Sequence, residues 1–198
     1  MSETGVVKFR CEHVVQPLAP FPGFAELNDC RRKLRSAGLI GVDENGIGFG
    51  NLSLRDGLTN QFYITGSGTG AKEELSLSDY ARVVSYDFSA NWLKCEGATV
   101  ASAESLTHAA VYVCDPSVTA VIHGHSLRLW RALRDQVPTA SPAIEYGTPA
   151  MALEVKRLFD TTELRAEGIF VMAGHADGIV AFGRDIEEAL SVLDDRVS

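Results

Sequence analysis

Two histidines one residue apart, His123 and His125, close a short apolar run over residues 119–122. The β-branched character and length of that run predict a buried strand. Residues two apart on a strand share a side, so both imidazoles can face one point. On a helix the same pair would lie on nearly opposite faces. Two neutral imidazoles at a strand end suit Zn²⁺ or a similar divalent ion, and a catalytic zinc needs three protein ligands and an open fourth position. The other histidines are His13, His108 and His175. His175 is the preferred third ligand, because the tight turn over 174–178 joins two predicted strands and can bring its ring to another strand's end. Asp177 in the same turn and His108 remain alternatives. His108 sits on a predicted helix, where it also reads as a partner behind a ligand or a satisfied core histidine.

A second stretch with chemical potential is Gly66-Ser67-Gly68-Thr69-Gly70. It is neither a dinucleotide fingerprint nor a P-loop, because the spacing is wrong and no Lys-Ser/Thr pair closes it. It reads first as a flexible turn. It also offers backbone N–H groups and two hydroxyls without bulky side chains, the makings of an anion cradle. Lys72 follows it, but with Glu73 and Glu74 behind, Lys72 reads as a solvated surface lysine.

The elements that must position these groups follow from periodicity and punctuation. Residues 1–23, with Pro17, Pro20 and Pro22, read as an irregular arm. A helix is predicted over 24–37, ended by Gly38. Strands are predicted over 47–54 and 61–65, joined as a hairpin across Asp56-Gly57. A short helical turn opens at Leu75, and strands follow over 81–86 and 92–96. The helix over 103–114 buries Leu106, Ala109, Ala110 and Val113, sets Glu104 and His108 on its other side, and has Ser102 as N-cap. After the strand ending at His123 come a helix over 127–134 and an extended link to Tyr146. Next are a helix opened by Thr148-Pro149, strands over 168–172 and 179–182, and a last helix begun by an Asp185/Glu188 capping box. This is an α/β or α+β chain in three layers, with no sign of a second domain.

The chain has 198 residues, 45% hydrophobic and 22% charged, with a formal charge of −8. Such a balance argues against nucleic acid or an anionic membrane surface as the main partner. The four cysteines show no C-x-x-C spacing and read as reduced thiols. Residues 1–5 resemble no signal peptide, and no run approaches the roughly 18 apolar residues of a membrane span. The expectation is a single domain over 1–198 in a soluble, cytoplasmic protein.

Taken in order, Gly50-Asn51-Leu52-Ser53, Ile64-Thr65-Gly66 and Ser102-Ala103-Glu104 with His108 and Tyr112 form an ordered set of motifs. The set continues through Asp115-Pro116, His123-Gly124-His125-Ser126, Tyr146-Gly147-Thr148, and His175 with Gly178. It resembles the class II aldolase/adducin family, known from zinc-dependent sugar-phosphate aldolases, over about residues 24 to 195. The resemblance implies a three-layer α/β/α fold with a mostly antiparallel central sheet. It implies that His123 and His125 are zinc ligands, with His175 near the third. It makes Glu104 the acid/base carboxylate, and Asn51, Thr65, Gly66 and Ser102 parts of a phosphate-binding set. The implied chemistry is a lyase reaction, an aldol cleavage or formation in a small hydroxy-carbonyl or sugar(-phosphate) compound. There a metal acts as Lewis acid and stabilises an enediolate while Glu104 shuttles the proton. Epimerases and dehydratases of the family share that logic, and an adducin-like protein would keep the fold without chemistry. A homo-oligomer, most readily a tetramer, is implied as well.

The chain departs from the family pattern in three places. Ala103 replaces the second of a serine pair before the glutamate, removing one hydroxyl of the phosphate site. Ala176 and Asp177 intervene between His175 and Gly178, where the family usually has histidine directly before the glycine. No replacement is evident for the catalytic tyrosine that aldolases often carry on a longer C-terminal tail.

Overall fold

The computed structural model describes residues 7–197. Its strands are β1 (Arg10–Val15), β2 (Gly41–Val42), β3 (Gly48–Phe49), β4 (Asn51–Arg55), β5 (Phe62–Thr65), β6 (Tyr80–Asp87), β7 (Trp92–Gly97), β8 (Ala120–His125), β9 (Thr139–Ala140), β10 (Ile169–Met172) and β11 (Gly178–Gly183). The helices are α1 (Phe24–Ser36), α2 (Ser105–Cys114), α3 (Leu127–Leu133), α4 (Pro149–Thr161), α5 (Leu164–Glu167) and α6 (Ile186–Val197). Among the described residues one nine-stranded sheet runs in the order β1-β7-β6-β5-β4-β8-β11-β10-β9, and β2 and β3 pair separately. Only β1 with β7 and β9 with β10 are parallel, so the sheet is mostly antiparallel.

The middle strands are apolar on both faces because both are covered. Val121, Phe170 and Val180 pack into a core with Leu106 and Ala110 of α2 and Met151 and Val155 of α4. Their chain neighbours Ile122, Val171 and Ile179 face the opposite way, onto Leu27 and Leu34 of α1, Leu129 of α3 and Leu193 of α6. This alternation is the period-two pattern of a strand. Each such fully buried side chain contributes roughly 1.5–3 kcal/mol. The result is three layers, α/β/α, as expected.

Three local expectations are corrected. Residues 1–23 were expected to be irregular, yet Arg10–Val15 form β1, which pairs in parallel with β7 from Arg10↔Trp92 to Val15↔Gly97. The prolines lie beyond this strand and do not disturb it, while Lys94 of β7 forms an ion pair with Glu12. Residues 1–6 of the expected arm lie outside the described residues. The strand expected over 47–54 breaks at Gly50, whose φ of +76° turns the chain from β3 into β4. A Cβ there would meet the Ile40 side chain at 2.7 Å and Leu39 O at 2.9 Å, so only glycine fits. Finally, α2 starts two residues later than expected: Glu104 takes the N-cap position, and Ser102 closes the preceding turn with its carbonyl, accepting from Ser105 N at 3.0 Å.

Candidate metal centre

β8 lies between β4 and β11 and ends at His125. Its register sets Asn51 of β4 opposite His123 and Gly178 of β11 opposite His125. The strand thus delivers both imidazoles to one sheet end, beside the start of α2. The turn between β10 and β11 supplies His175, which is buried. Asp177 in that turn takes a left-handed φ of 65°, which lets the chain double back. Gly178 must then pass close to the rings, since a Cβ on it would lie 2.7 Å from His175 Cδ2 and 3.2 Å from His123 Cε1.

One potential ligand nitrogen from each of His123, His125 and His175 lies within 4.8 Å of the other two. His123 Nδ1 sits 3.1 Å from Ile179 O. A carbonyl can only accept, so Nδ1 carries the hydrogen and Nε2 turns a lone pair inward. That Nε2 lies 3.1 Å from His125 Nε2. Two nitrogens held at zinc distances with tetrahedral geometry stand about 3.3 Å apart, so this pair already has the spacing. Burial depresses all three basicities: His125 falls to about 4, His175 to about 3, and His123 well below the usual imidazole range, with the neighbouring rings adding to it. All three are therefore neutral at pH 7, the form in which imidazole ligates a metal. The donor set fits a divalent ion. Asp177 and His108, the alternative third ligands, are outside the cluster. His13 is on β1 and bonds to Gly97 O.

Glu104 points into the same cleft and is 3% exposed. Thr107 Oγ1 donates to its Oε2 at 2.7 Å, while Oε1 is buried with no protein partner. Burial pushes its pKa up to about 7, against the hydrogen bond from Thr107 and the charge of Lys8, which pull it down. A carboxyl that gains and loses a proton near neutrality has the property of a general acid/base.

The cleft is also lined by Asn51, Gly66, Ser102 and the glycine-rich turn, and encloses about 30 Å³, room for one or two waters. Asn51 Oδ1 is a second buried oxygen with no protein partner. Thr65 does not reach the cleft, because its Oγ1 accepts from Leu52 N at 3.3 Å. Lys72 is ion-paired with Asp79. Below Glu104 on α2, His108 is fully buried, with Nδ1 2.7 Å from Ser53 Oγ, itself 2.7 Å from Tyr112 OH. This polar chain ties α2 to β4 beneath the cleft.

The sequence reading missed three residues at the cleft. Tyr146 lies against His175 with ring centroids 4.4 Å apart and planes tilted by 36°, and Phe49 lies 5.3 Å from His125. Lys8 stands 4.0 Å over the Tyr146 ring and pairs with Glu145 at 3.2 Å. The motif Tyr146-Gly147-Thr148 was a signal for the first. Lys8 had none, because only the pairing of β1 with β7 brings the N-terminal region here.

Comparison with known proteins decides the family. The model for the class II aldolase and adducin N-terminal domain matches residues 32–194. The chain belongs to the class II aldolase/adducin family. No curated protein sequence matches it significantly. Solved structures do. L-fuculose-1-phosphate aldolase from Thermus thermophilus is 23% identical with a TM-score of 0.62, over 87% of this chain and 88% of that one. Another L-fuculose 1-phosphate aldolase is 22% identical with a TM-score of 0.68, over 92% and 84%. YgbL of Klebsiella pneumoniae, provisionally described as an aldolase/epimerase/decarboxylase, is 20% identical with a TM-score of 0.63, over 86% and 83%. Likeness at these identities carries the class II aldolase fold and leaves the reaction to the site. Lys8 lies outside the matched residues. Among the described residues no helix is long and apolar enough to cross a membrane.

Proposed function

We propose that this class II aldolase-family member is a divalent-metal-dependent lyase, most simply a zinc aldolase, making or breaking a C–C bond in a small hydroxy-carbonyl or sugar(-phosphate) compound. The observation that carries the reading is the convergence of three neutral imidazoles beside a buried carboxyl poised near pH 7. His123, His125 and His175 hold the ion. A bound dication supplies Lewis acidity toward the substrate's oxygens. Glu104 moves the proton: its Oε1 has no protein partner, while Thr107 holds Oε2 and the start of α2 fixes the side chain. Asn51, Ser102 and Gly66 orient the substrate's polar groups, and Thr65 supports them through its bond to β4. Tyr146, packed against His175, closes one side of the cleft against water.

An epimerase or dehydratase would use the same groups, and the substrate decides among them. An adducin-like protein without chemistry has no physical reason to keep three neutral histidines and an unpartnered buried carboxylate together. By family likeness we further propose that residues 1–198 form one domain and that the protein is a cytoplasmic homo-oligomer, most simply a tetramer.

Elemental analysis of protein purified without chelator, paired with cleavage assays on ketose 1-phosphates and free ketoses, tests the reading. The expected result is about one zinc or similar ion per chain and activity that chelator removes and metal restores. Full activity without divalent metal refutes it.

A further inference from the structure

Two elements meet beneath the cleft as a ladder. Leu52 and Leu54 of β4 face the α1 side of the sheet, so Asn51, Ser53 and Arg55 face α2. On α2, Glu104, His108 and Tyr112 follow one another at four-residue spacing. Two residues of strand advance about 6.6 Å and four of helix about 6 Å, so the steps match. Both elements start at the cleft, which Asn51 and Glu104 line. The rung farthest from the cleft is closed by Arg55, whose Nη2 donates to Tyr112 O at 2.7 Å and whose guanidinium lies 4.6 Å from the centre of the Tyr112 ring. The middle rung is closed by Ser53 Oγ, 2.7 Å from both His108 Nδ1 and Tyr112 OH. No protein bond closes the rung at the cleft. Asn51 Oδ1 and Glu104 Oε1 are both buried with no protein partner, and so is His108 Nε2 one step below.

An amide oxygen and a carboxylate oxygen only accept, so Asn51 Oδ1 and Glu104 Oε1 cannot pair with each other. Burial lowers the basicity of His108 to about 3, so its ring is neutral at pH 7 and one nitrogen carries the hydrogen. Thr119 O already accepts from Arg55 N at 2.7 Å and lies 3.3 Å from the Tyr112 hydroxyl. The shorter bonds therefore run from the phenol to Ser53 Oγ and from the Ser53 hydroxyl to His108 Nδ1, which leaves the hydrogen on Nε2. One donor and two acceptors remain. A single buried water satisfies that set with three bonds, the usual number for such a water.

We propose that a buried water closes the third rung, accepting from His108 Nε2 and donating to Glu104 Oε1 and Asn51 Oδ1, and that His108 is thereby a positioning residue for the Glu104 carboxyl. The inference deepens the metal-dependent lyase reading, resting on it for Glu104 as the group that moves the proton. Thr107 holds Oε2 and the water holds Oε1, so the carboxyl is fixed at both oxygens. Each oxygen keeps a second lone pair for the substrate's proton. His108 touches no substrate. It acts through the water.

The test pairs a crystal structure of the wild-type protein, at a resolution that places waters, with steady-state kinetics of His108→Met, His108→Gln and Tyr112→Phe. The substrate is the ketose that the cleavage assays identify, and metal content is recorded for each variant. A water should lie within hydrogen-bond distance of His108 Nε2, Glu104 Oε1 and Asn51 Oδ1. His108→Met removes the donor, and losing one hydrogen bond that serves a charged group should lower kcat about 10- to 100-fold, with KM and metal content unchanged. His108→Gln presents an N–H near the Nε2 position and should recover kcat to within about threefold of wild type. Tyr112→Phe loosens the tie between α2 and β4 but leaves Ser53 to donate to Nδ1, so its kcat should also stay within about threefold. A purely architectural role for His108 would slow His108→Met and Tyr112→Phe alike. If His108→Met fails to fold, the wild-type density and the other two variants decide. No water at that place, or an Asn51 amide turned over and bonded directly to Glu104, overturns the proposal. So does a folded His108→Met with unchanged kcat, a His108→Gln as slow as His108→Met, or a Tyr112→Phe slowed more than tenfold. The water found in a protein that cleaves no ketose would sink the lyase reading and leave the water site standing.

Discussion

Replacing Glu104 by glutamine should change the pH dependence of stability in a way that isolates its burial. The carboxyl is 3% exposed, and burial raises its pKa from 4.5 to about 7. Between those values the folded chain binds a proton that the unfolded chain releases, so wild-type stability falls as pH rises through this window. Below pH 4.5 the group is protonated in both states and costs nothing. Above pH 7 the full shift applies, about 3 kcal/mol at 1.36 kcal/mol per unit. Glutamine keeps the shape and an oxygen that accepts from Thr107, and it does not titrate. Urea denaturation of chelator-treated Glu104→Gln and wild type between pH 4 and 8.5 should therefore show a stability difference that swings toward the variant by about 3 kcal/mol across the window. Any constant offset from the amide is pH-independent and drops out of that swing. A difference that stays flat, or swings toward the wild type, would mean that Glu104 is already ionised in the fold and is a dipole-complementing acid at the start of α2.

Two further outcomes follow from the same electrostatics. Lys8→Met removes a charge that lowers the Glu104 pKa, so the acid limb of the kcat/KM profile should move to higher pH while Lys8→Arg leaves it in place; an unmoved limb in the methionine variant excludes the coupling. In a Glu104→Gln background, Co²⁺ affinity should change less than about twofold between pH 8 and pH 6, because the three imidazoles stay neutral there; ordinary histidines of pKa near 6.5 would lose roughly 70-fold, and a loss of that size would show that the rings are open to water.

Much of the site was legible because its information is local. His123-Gly124-His125 reads as a strand end from the apolar run before it, and the β8 registers with β4 and β11 bear that out. His175 was legible as the product of a turn between two strands. What the sequence concealed is non-local or a matter of which atom bonds. Ser102 looked like an N-cap by type, but its carbonyl, not its hydroxyl, does the work, and Glu104 takes the position with no side-chain cap. Thr65 matched a motif while its hydroxyl was committed to Leu52 N. Asp185 caps Glu188 N as expected, but the Glu188 carboxylate turns to Arg184 instead of closing the reciprocal bond. β1 was hidden because a six-residue strand with mixed polarity draws its stability from the free edge of β7, which no window over residues 10–15 contains.

A formal charge of −8 does not by itself set the potential inside the cleft. Net charge governs encounter at long range, but screening limits its reach to about 8–10 Å at physiological salt. Inside the cleft the nearby fixed charges decide. Arg31 and Arg35 stand behind the glycine-rich wall, and Lys8 stands beside Tyr146. Of the acids, Asp79 is turned to Lys72 and Glu145 to Lys8. Among the described residues Glu104 is the one acid that lines the cleft, and there its proton affinity is set by opposed effects. Burial raises it and positive charge lowers it. A dication held by the three histidines would add to the lowering side, so the same carboxyl that the bare fold holds near pH 7 would become a readier carboxylate once the site is loaded. Metal loading would thereby make the proposed base more available, with no conformational change required.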